Sequence, residues 1–207
     1  RPGGMLAIAP TFRLPEEVVQ EDIRRIEALG VTLELSHPIT APPEALLNQG
    51  FDAVYVASGA QKDARLGIEG EDADGVLHAL DFLKRVRWGE EFHLGQRVLV
   101  IGGGNTAMDA ARTARRLTGG SVTVVYRRTR REMPATDEEV EGLLAEGGVL
   151  EELASPLRIV LEDGRVAGLA CIRNELGEPG PDGRRRPVPI EGSEFEIEAD
   201  SIIVAIG

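Results

Sequence analysis

The first 60 residues combine one apolar stripe at helical spacing with two short apolar runs. A helix is predicted from Pro15, a residue type favoured at the first helical position, to a stop at Gly30. Its apolar stripe consists of Val18, Val19, Ile23, Ile26 and Leu29. The runs at 31–35 and 52–58 predict buried strands, and a short helix is predicted between them over 43–48. This order predicts a parallel sheet.

From residue 97 the same alternation returns with stronger patterning. It predicts a strand, a glycine-rich turn, a helix and a second strand, over 98–101, 102–104, 105–117 and 122–126. Thr136 and Glu139 form a capping-box pattern, in which the threonine hydroxyl and the glutamate carboxylate accept hydrogen bonds from backbone N–H groups at a helix start. The helix predicted there ends near Glu146, before Gly147 and Gly148.

The last third of the chain predicts shorter strands, over 150–153, 157–161, 165–173, 194–197 and 201–207. Asp163-Gly164 is a pair typical of a tight hairpin turn. Residues 177–189 are rich in glycine, proline and arginine and predict a mobile surface loop.

The excess of acidic residues limits the kinds of partner that the chain is expected to bind. The chain has 207 residues, 35 of them acidic and 23 basic, and a formal net charge of -12. Binding a polyanion depends on Lys and Arg releasing counterions, so no nucleic-acid partner is expected. No apolar run approaches the roughly 20 residues that span a bilayer, so no membrane partner is expected, and we expect a cytoplasmic location. The single cysteine, Cys171, excludes an internal disulfide or a Cys-rich metal site within this chain.

The turn after the strand at 98–101 carries the most specific chemistry. A GxGxxA pattern is weak alone, but here it follows a strand and opens a helix. Gly102 permits the tight turn, Gly104 lets the backbone approach a pyrophosphate, and Ala107 lets the helix pack against the sheet. The helix start offers N–H groups to phosphates. The bland alternative is a glycine-rich turn without a ligand.

The next strand ends in Tyr126-Arg127-Arg128, where an NAD site carries an acidic residue for the ribose 2′-hydroxyl. Two guanidinium groups in that place favour a 2′-phosphate, and hence NADP(H). The alternative is a solvated charge run over 127–131, and Arg130 and Arg131 are expected to be surface residues. A methyltransferase fits poorly, because it would also need an acidic residue where Arg127 stands.

Four motifs together resemble one family: Gly-Gly-Gly-Asn-Thr-Ala-Met-Asp, Val-Tyr-Arg-Arg, Arg-Glu-Met-Pro-Ala and Ala-Asp-Ser-Ile-Ile-Val-Ala-Ile-Gly. The chain resembles the small (β) subunit of NADPH-dependent glutamate synthase, and the flavin part of dihydropyrimidine dehydrogenase, over essentially its whole length. The resemblance implies an α/β, Rossmann-like three-layer dinucleotide-binding fold with an antiparallel β insertion. It also implies that the chain is a fragment of a flavoprotein with two dinucleotide domains.

Carried onto this sequence, the resemblance implies that Gly103, Gly104, Asn105 and Thr106 line the NADPH pyrophosphate. Arg127 and Arg128 would hold the 2′-phosphate. The nicotinamide end would lie near Ala205, Ile206 and Gly207. Gly4, Met5, Arg13 and Ile39 match positions that contact FAD, although the spacing from Gly4 to Arg13 is one residue shorter than the family pattern. No residue is predicted to act as a catalytic acid, base, nucleophile or metal ligand.

The same resemblance implies three regions: 1–60, the remnant of an interrupted FAD-binding domain; 61–96, a connector with one helix over 78–88; and 97–207, the NADPH-binding domain. We expect hydride to pass from NADPH to FAD, and electrons onward to iron–sulfur clusters in a large catalytic subunit or another domain. FAD-domain segments would be missing, so the fragment itself is expected to bind FAD weakly and to be inactive. A non-catalytic dinucleotide sensor or subunit-docking module is the alternative.

Overall fold

A computed structural model describes residues 2–181 and 183–207. The chain divides into two compact units, one ending at Gln61 and one spanning Lys62–Gly207. Among the described residues, no helix is both long and apolar enough to cross a membrane.

The first unit contains helices but none of its predicted strands. Its elements are a 3-10 helix, Gly4–Ile8, followed by α1, Glu16–Ala28, and α2, Pro43–Leu47. The strands predicted over 31–35 and 52–58 are wrong, because neither run is paired with another strand within the described chain. Tyr55 is 92% exposed and Leu35 53% exposed. An apolar run becomes a strand only where neighbouring strands satisfy its backbone groups.

The second unit is built on a five-stranded parallel sheet. Its strands are β1, Val76–His78; β2, Arg97–Ile101; β3, Ser121–Tyr126; β4, Val149–Glu152; and β8, Ser201–Val204. Their order across the sheet is β1-β8-β2-β3-β4. The short strand β1 was missed by the sequence analysis, which had only a connector there. β2 and β3 occupy the predicted positions, and β8 covers the first four residues of the strand predicted over 201–207.

Three helices cover one face of this sheet: α3, Ala79–Arg87; α4, Asn105–Thr118; and α5, Asp137–Ala145. Alternate strand residues pack against them, including Val98 and Val100 of β2 and Ile203 of β8. Phe82 of α3 and Met108 of α4 are fully buried in the same cluster. The helices predicted over 78–88, over 105–117 and from Thr136 to Glu146 are therefore confirmed.

An antiparallel sheet covers the other face. It consists of β5, Ala154–Glu162, β6, Arg165–Pro179, and β7, Arg185–Glu198. The remaining strand residues, such as Leu99 of β2 and Ile202 of β8, pack against Leu169 and Cys171 of β6. Helices, parallel sheet and antiparallel sheet make three layers, which confirms the predicted α/β fold with an antiparallel insertion.

The insertion is longer than its sequence suggested. Asp163 and Gly164 have φ values of 51° and 80°, so the predicted hairpin turn between β5 and β6 is confirmed. The loop predicted over 177–189 is wrong for most of its length, since β6 and β7 continue as a hairpin as far as the pair Pro179 and Arg185. Cross-strand hydrogen bonds outweigh the turn-like composition there. The part of this prediction that falls on Asp182 lies outside the described residues.

Candidate functional site

The candidate site lies where the order of the strands in the parallel sheet reverses, at β2. β3 and β4 follow β2 on one side, whereas β8 pairs with β2 on the other. Ligands of open α/β sheets bind beyond the carboxyl ends of the strands at such a switch point. Gly102 directly follows β2 and Ala205 directly follows β8, so the glycine-rich turn stands at this point.

Contacts within the protein require a glycine at position 102. Its φ is 147°, in the region that side chains disfavour, and a Cβ on it would lie 2.2 Å from the carbonyl oxygen of Ala205. Its N–H donates to the carbonyl of Val125 at 3.1 Å, and the N–H of Ala205 donates to the carbonyl of Ile101 at 2.8 Å. The turn is therefore closed tightly against the ends of both neighbouring strands.

Gly103 closes the turn against Tyr126, the last residue of β3. A Cβ on Gly103 would lie 2.4 Å from the tyrosine ring. The ring is in turn held by its hydroxyl, which donates to the carbonyl of Glu132 at 2.9 Å. Sequence analysis did not single out Tyr126, because nothing in its local pattern shows which residue a glycine must accommodate.

Gly104 differs, because little of the protein lies near it. A Cβ added there would meet only Pro134, at 3.9 Å, and the backbone is extended with a φ of -93°. The turn leaves space at this position that a bound group can fill. No contact in the described chain requires glycine at this position.

The start of α4 offers unpaired backbone donors. No residue of the described chain accepts a hydrogen bond from the N–H groups of Gly104, Asn105 or Thr106, and the first turn contains no acidic side chain. Ala107 is fully buried, which lets the helix pack close to the sheet. An anion placed here would meet unpaired N–H groups and the positive end of the helix dipole.

The segment before α5 is tied to this turn. The Oδ1 of Asn105 accepts a hydrogen bond from the N–H of Thr136 at 3.0 Å, and Ala135 donates to the carbonyl of Gly103 at 3.0 Å. Thr136 is the N-cap of α5 as predicted, but its side chain makes no capping bond. Glu139 instead pairs with Arg112 of α4 at 2.9 Å. The predicted capping box is therefore wrong, because the Thr136 N–H donates to Asn105 and the Glu139 carboxylate binds Arg112.

The two arginines after β3 have different surroundings. Arg127 is exposed, whereas Arg128 is only 7% exposed and its Nε donates to the carbonyl of Arg185 at 2.6 Å. Arg130 is partly exposed and pairs with Glu141 at 2.5 Å, and Arg131 is exposed. Arg127 thus presents a guanidinium to solvent beside the glycine turn, and Arg128 joins the end of β3 to the start of β7.

The remaining predicted contacts lie in two places. Ala205 and Ile206 are half-buried and Gly207 is exposed, directly after β8 and next to the glycine turn. The residues matched to FAD contacts lie in the first unit, where all are exposed: Gly4, Met5, Arg13 and Ile39. The described first unit does not enclose them.

Two titratable groups of the second unit have shifted pKa values with structural causes. Burial raises the pKa of the Cys171 thiol to about 12, so this cysteine is an inert part of the core. Asp200, at the opposite edge of the sheet, has a lowered pKa because the Arg97 guanidinium and two backbone N–H groups bind its carboxylate. Within the described residues, no group of three or more His, Cys, Asp or Glu side chains is arranged to hold a metal ion.

Comparison with known proteins agrees with this geometry. The NADP(+)-dependent formate dehydrogenase subunit beta of Moorella thermoacetica is 41% identical over 99% of this chain and 30% of its own length. The glutamate synthase [NADPH] small chain of Halomonas elongata is 38% identical over 99% of this chain and 46% of its own. The chain thus spans about a third to a half of the length of these curated relatives.

Among solved structures, Mycobacterium tuberculosis FprA in complex with NADPH is 25% identical, with a TM-score of 0.67 over 79% of this chain and 51% of that one. A family model described as pyridine nucleotide-disulphide oxidoreductase matches residues 25–151. That match includes the glycine-rich turn, α4, β3 and the arginines that follow it. The chain belongs to the pyridine nucleotide-disulphide oxidoreductase family.

Proposed function

We propose that this chain is the NADPH-binding part of a flavin oxidoreductase that resembles the glutamate synthase small chain. The observation that carries the proposal is the glycine turn at the switch point, where Gly104 leaves open space in front of unpaired N–H groups. Relatives named for NADP(+) or NADPH, among them a formate dehydrogenase subunit and a glutamate synthase small chain, support it.

The residues around the turn fit a dinucleotide. The N–H groups of Gly104, Asn105 and Thr106 would bind the pyrophosphate oxygens, and Gly104 would let the backbone approach them. Gly103 would line the same turn. Asn105 keeps its side chain on Thr136, so its contribution to the nucleotide is its backbone. Ala205, Ile206 and Gly207 would border the nicotinamide end.

Specificity for the 2′-phosphate would come mainly from Arg127, the exposed guanidinium at the end of β3. A guanidinium binds a phosphate through charge-assisted hydrogen bonds, each contributing about 1.5 to 3 kcal/mol. Arg128 would add positive charge, but its Nε is held by the carbonyl of Arg185. The site thus has one exposed and one anchored arginine for the same group.

The redox role is proposed for the whole protein. NADPH bound here would supply a hydride, FAD would accept it, and iron–sulfur clusters outside this chain would take the electrons onward. This chain's residues contribute binding and orientation, and no acid or base among them is needed. Residues 1–60 would be part of the FAD-binding domain, with Gly4, Met5, Arg13 and Ile39 covered by further FAD-domain segments. A large catalytic subunit or iron–sulfur domain would be the partner.

The test is cofactor discrimination. We expect NADPH to bind more tightly than NADH by at least about tenfold, measured by isothermal titration calorimetry and by the shift in melting temperature. Arg127→Glu should abolish this preference, because it replaces the phosphate-binding cation with an anion.

The matched control for that experiment is Arg165→Glu. Arg165 is an exposed arginine at the start of β6, next to Asp74 just before β1, and hence at the edge away from the glycine turn. The same charge change there should leave the ratio of the two dissociation constants unchanged. Equal affinity of the unaltered protein for NADPH and NADH would contradict the 2′-phosphate assignment.

A further inference from the structure

The loop that carries Arg127 is held by residues that arrive much later in the chain. The carbonyl of Arg127 accepts a hydrogen bond from the Nδ2 of Asn174 at 2.9 Å. The carbonyl of Arg128 accepts one from the N–H of Leu153 at 3.1 Å. Leu153 is itself bound to Asn174, whose N–H donates to the leucine carbonyl at 2.7 Å. Leu153 and Asn174 therefore hold both consecutive carbonyls of the arginine pair.

Leu153 stands at the junction of the two sheets. It is the single residue between β4, which ends at Glu152, and β5, which begins at Ala154. Its φ is 54°, in the left-handed region that a leucine rarely adopts. Such a conformation persists only where surrounding contacts enforce it. Here it directs the N–H of Leu153 to Arg128 and its carbonyl to Asn174.

Asn174 is placed for this contact by an irregularity in its own strand. The pairing of β6 with β7 shifts register between Ile172 and Asn174, a feature that re-aims side chains. Asn174 is 3% exposed, and its second amide hydrogen is donated to the Oγ of Ser155 at 2.8 Å. Both hydrogens of the amide are thus used, and the side chain has one orientation in which it reaches the Arg127 carbonyl.

We propose that Asn174 is a positioning residue that sets the preference for a 2′-phosphorylated nucleotide. By fixing the carbonyl of Arg127, it fixes the backbone from which the exposed guanidinium extends. The antiparallel insertion then has a role in cofactor recognition without contacting the nucleotide through this side chain. The proposal rests on the proposed NADPH site, and it deepens that site by naming what orients its arginine.

The experiment replaces Asn174 with leucine, which has a similar size and no donor, and separately with serine, which is too short to reach Arg127. Dissociation constants are measured by calorimetry for NADPH, NADH, adenosine 2′,5′-bisphosphate and 5′-AMP. We expect either variant to raise the dissociation constants of NADPH and the bisphosphate about fivefold to tenfold. The dissociation constants of NADH and 5′-AMP should not change. The serine variant serves if the leucine variant does not fold.

Ile159→Val is the matched control, since Ile159 is buried on β5 and lies in the core between the two sheets. It should lower the melting temperature and leave the NADPH-to-NADH ratio unchanged, whereas Asn174→Leu should change both. An unaltered protein without preference for NADPH would overturn the proposed function. A preference lost in Arg127→Glu but retained in both Asn174 variants would overturn the role of Asn174 alone, as would equal weakening of all four nucleotides.

Discussion

The parallel sheet has an amino edge, where its strands begin, and a carboxyl edge, where they end. The two edges differ in how their backbone N–H groups are hydrogen-bonded. At the amino edge, the Asp200 carboxylate accepts hydrogen bonds from the N–H groups of Gln96 and Arg97 at 2.7 and 2.9 Å, and also binds the Arg97 guanidinium. At the carboxyl edge, no described residue accepts from the N–H groups of Gly104 and Asn105. The amino edge supplies its own anion, whereas these donors at the carboxyl edge have no acceptor within the described chain.

The same contrast separates stability from binding. Groups at the amino edge satisfy one another, so changes there should lower the free energy of unfolding and spare nucleotide affinity. The carboxyl edge contains residues that matter for stability and residues that should matter only for binding. A Cβ on Gly102 would collide with the protein, whereas a Cβ on Gly104 would extend into open space. Substitutions at the two edges should therefore have different effects on stability and on nucleotide affinity.

The largest effect is expected for Gly102→Ala. The added methyl would lie 2.2 Å from the Ala205 carbonyl oxygen, at a φ of 147° that alanine disfavours. We expect the free energy of unfolding to fall by about 3 kcal/mol, from overpacking and backbone strain together. Chemical denaturation monitored by circular dichroism measures this loss. A variant as stable as the unaltered protein would show that the turn opens more easily than its contacts indicate.

Asp200→Asn should have a smaller effect, confined to stability. The carboxylate binds two backbone N–H groups and a guanidinium, and its loss should lower the free energy of unfolding by about 1 to 2 kcal/mol. NADPH affinity should not change, because the residue lies at the other edge. A loss of affinity equal to that of a carboxyl-edge variant would break the distinction between the two edges.

The contribution of Asp200 to stability should depend on pH. The pKa of Asp200 is lowered in the folded state, chiefly by its hydrogen bonds to Arg97. Its contribution to stability is therefore present above the usual aspartate pKa of about 4, and it is lost as the pH falls through the lower folded value. The stability difference between the unaltered protein and Asp200→Asn should be full at pH 7 and should shrink below pH about 4.

Gly104→Ala should change stability least and binding most selectively. The residue has an extended backbone that alanine adopts, and the nearest atom to the new methyl, on Pro134, is 3.9 Å away. We expect less than about 1 kcal/mol of lost stability and about a tenfold weaker affinity for both NADPH and NADH, since the pyrophosphate is common to both. Calorimetry compares it with Gly102→Ala, the same methyl two residues away. Unchanged affinity would place the pyrophosphate elsewhere.

Sequence reasoning succeeded where local pattern decides structure. β2, α4 and β3 follow from apolar runs bounded by glycines, and the glycine turn follows from its place between a strand and a helix. The runs at 31–35 and 52–58 have comparable composition, but strands need partners, and the described first unit supplies none. Local composition cannot show whether a partner is present.

Contacts between distant positions explain the other misses. The burial of Arg128 depends on Arg185, 57 residues later, and the hold on Arg127 depends on Asn174, 47 residues later. Neither partner carries a recognisable motif. The glycines and prolines of 177–189 predicted a loop, whereas the segment forms part of a hairpin, because residues of β6 pair with residues of β7. Sequence reasoning therefore located the turn between β2 and α4, but not the residues that bind the arginines after β3.

The position of β8 has a consequence for how the molecule assembles. This strand is the last of the eight along the described chain, yet it lies between β1 and β2 in the sheet. During synthesis, the backbone groups of β1 and those on one side of β2 would have no strand to pair with until residues 201–204 have been made. Non-local pairing of this kind is slow and leaves edges exposed to other chains. The glycine turn, which closes on Ala205, would thus be completed only after that residue has been synthesised.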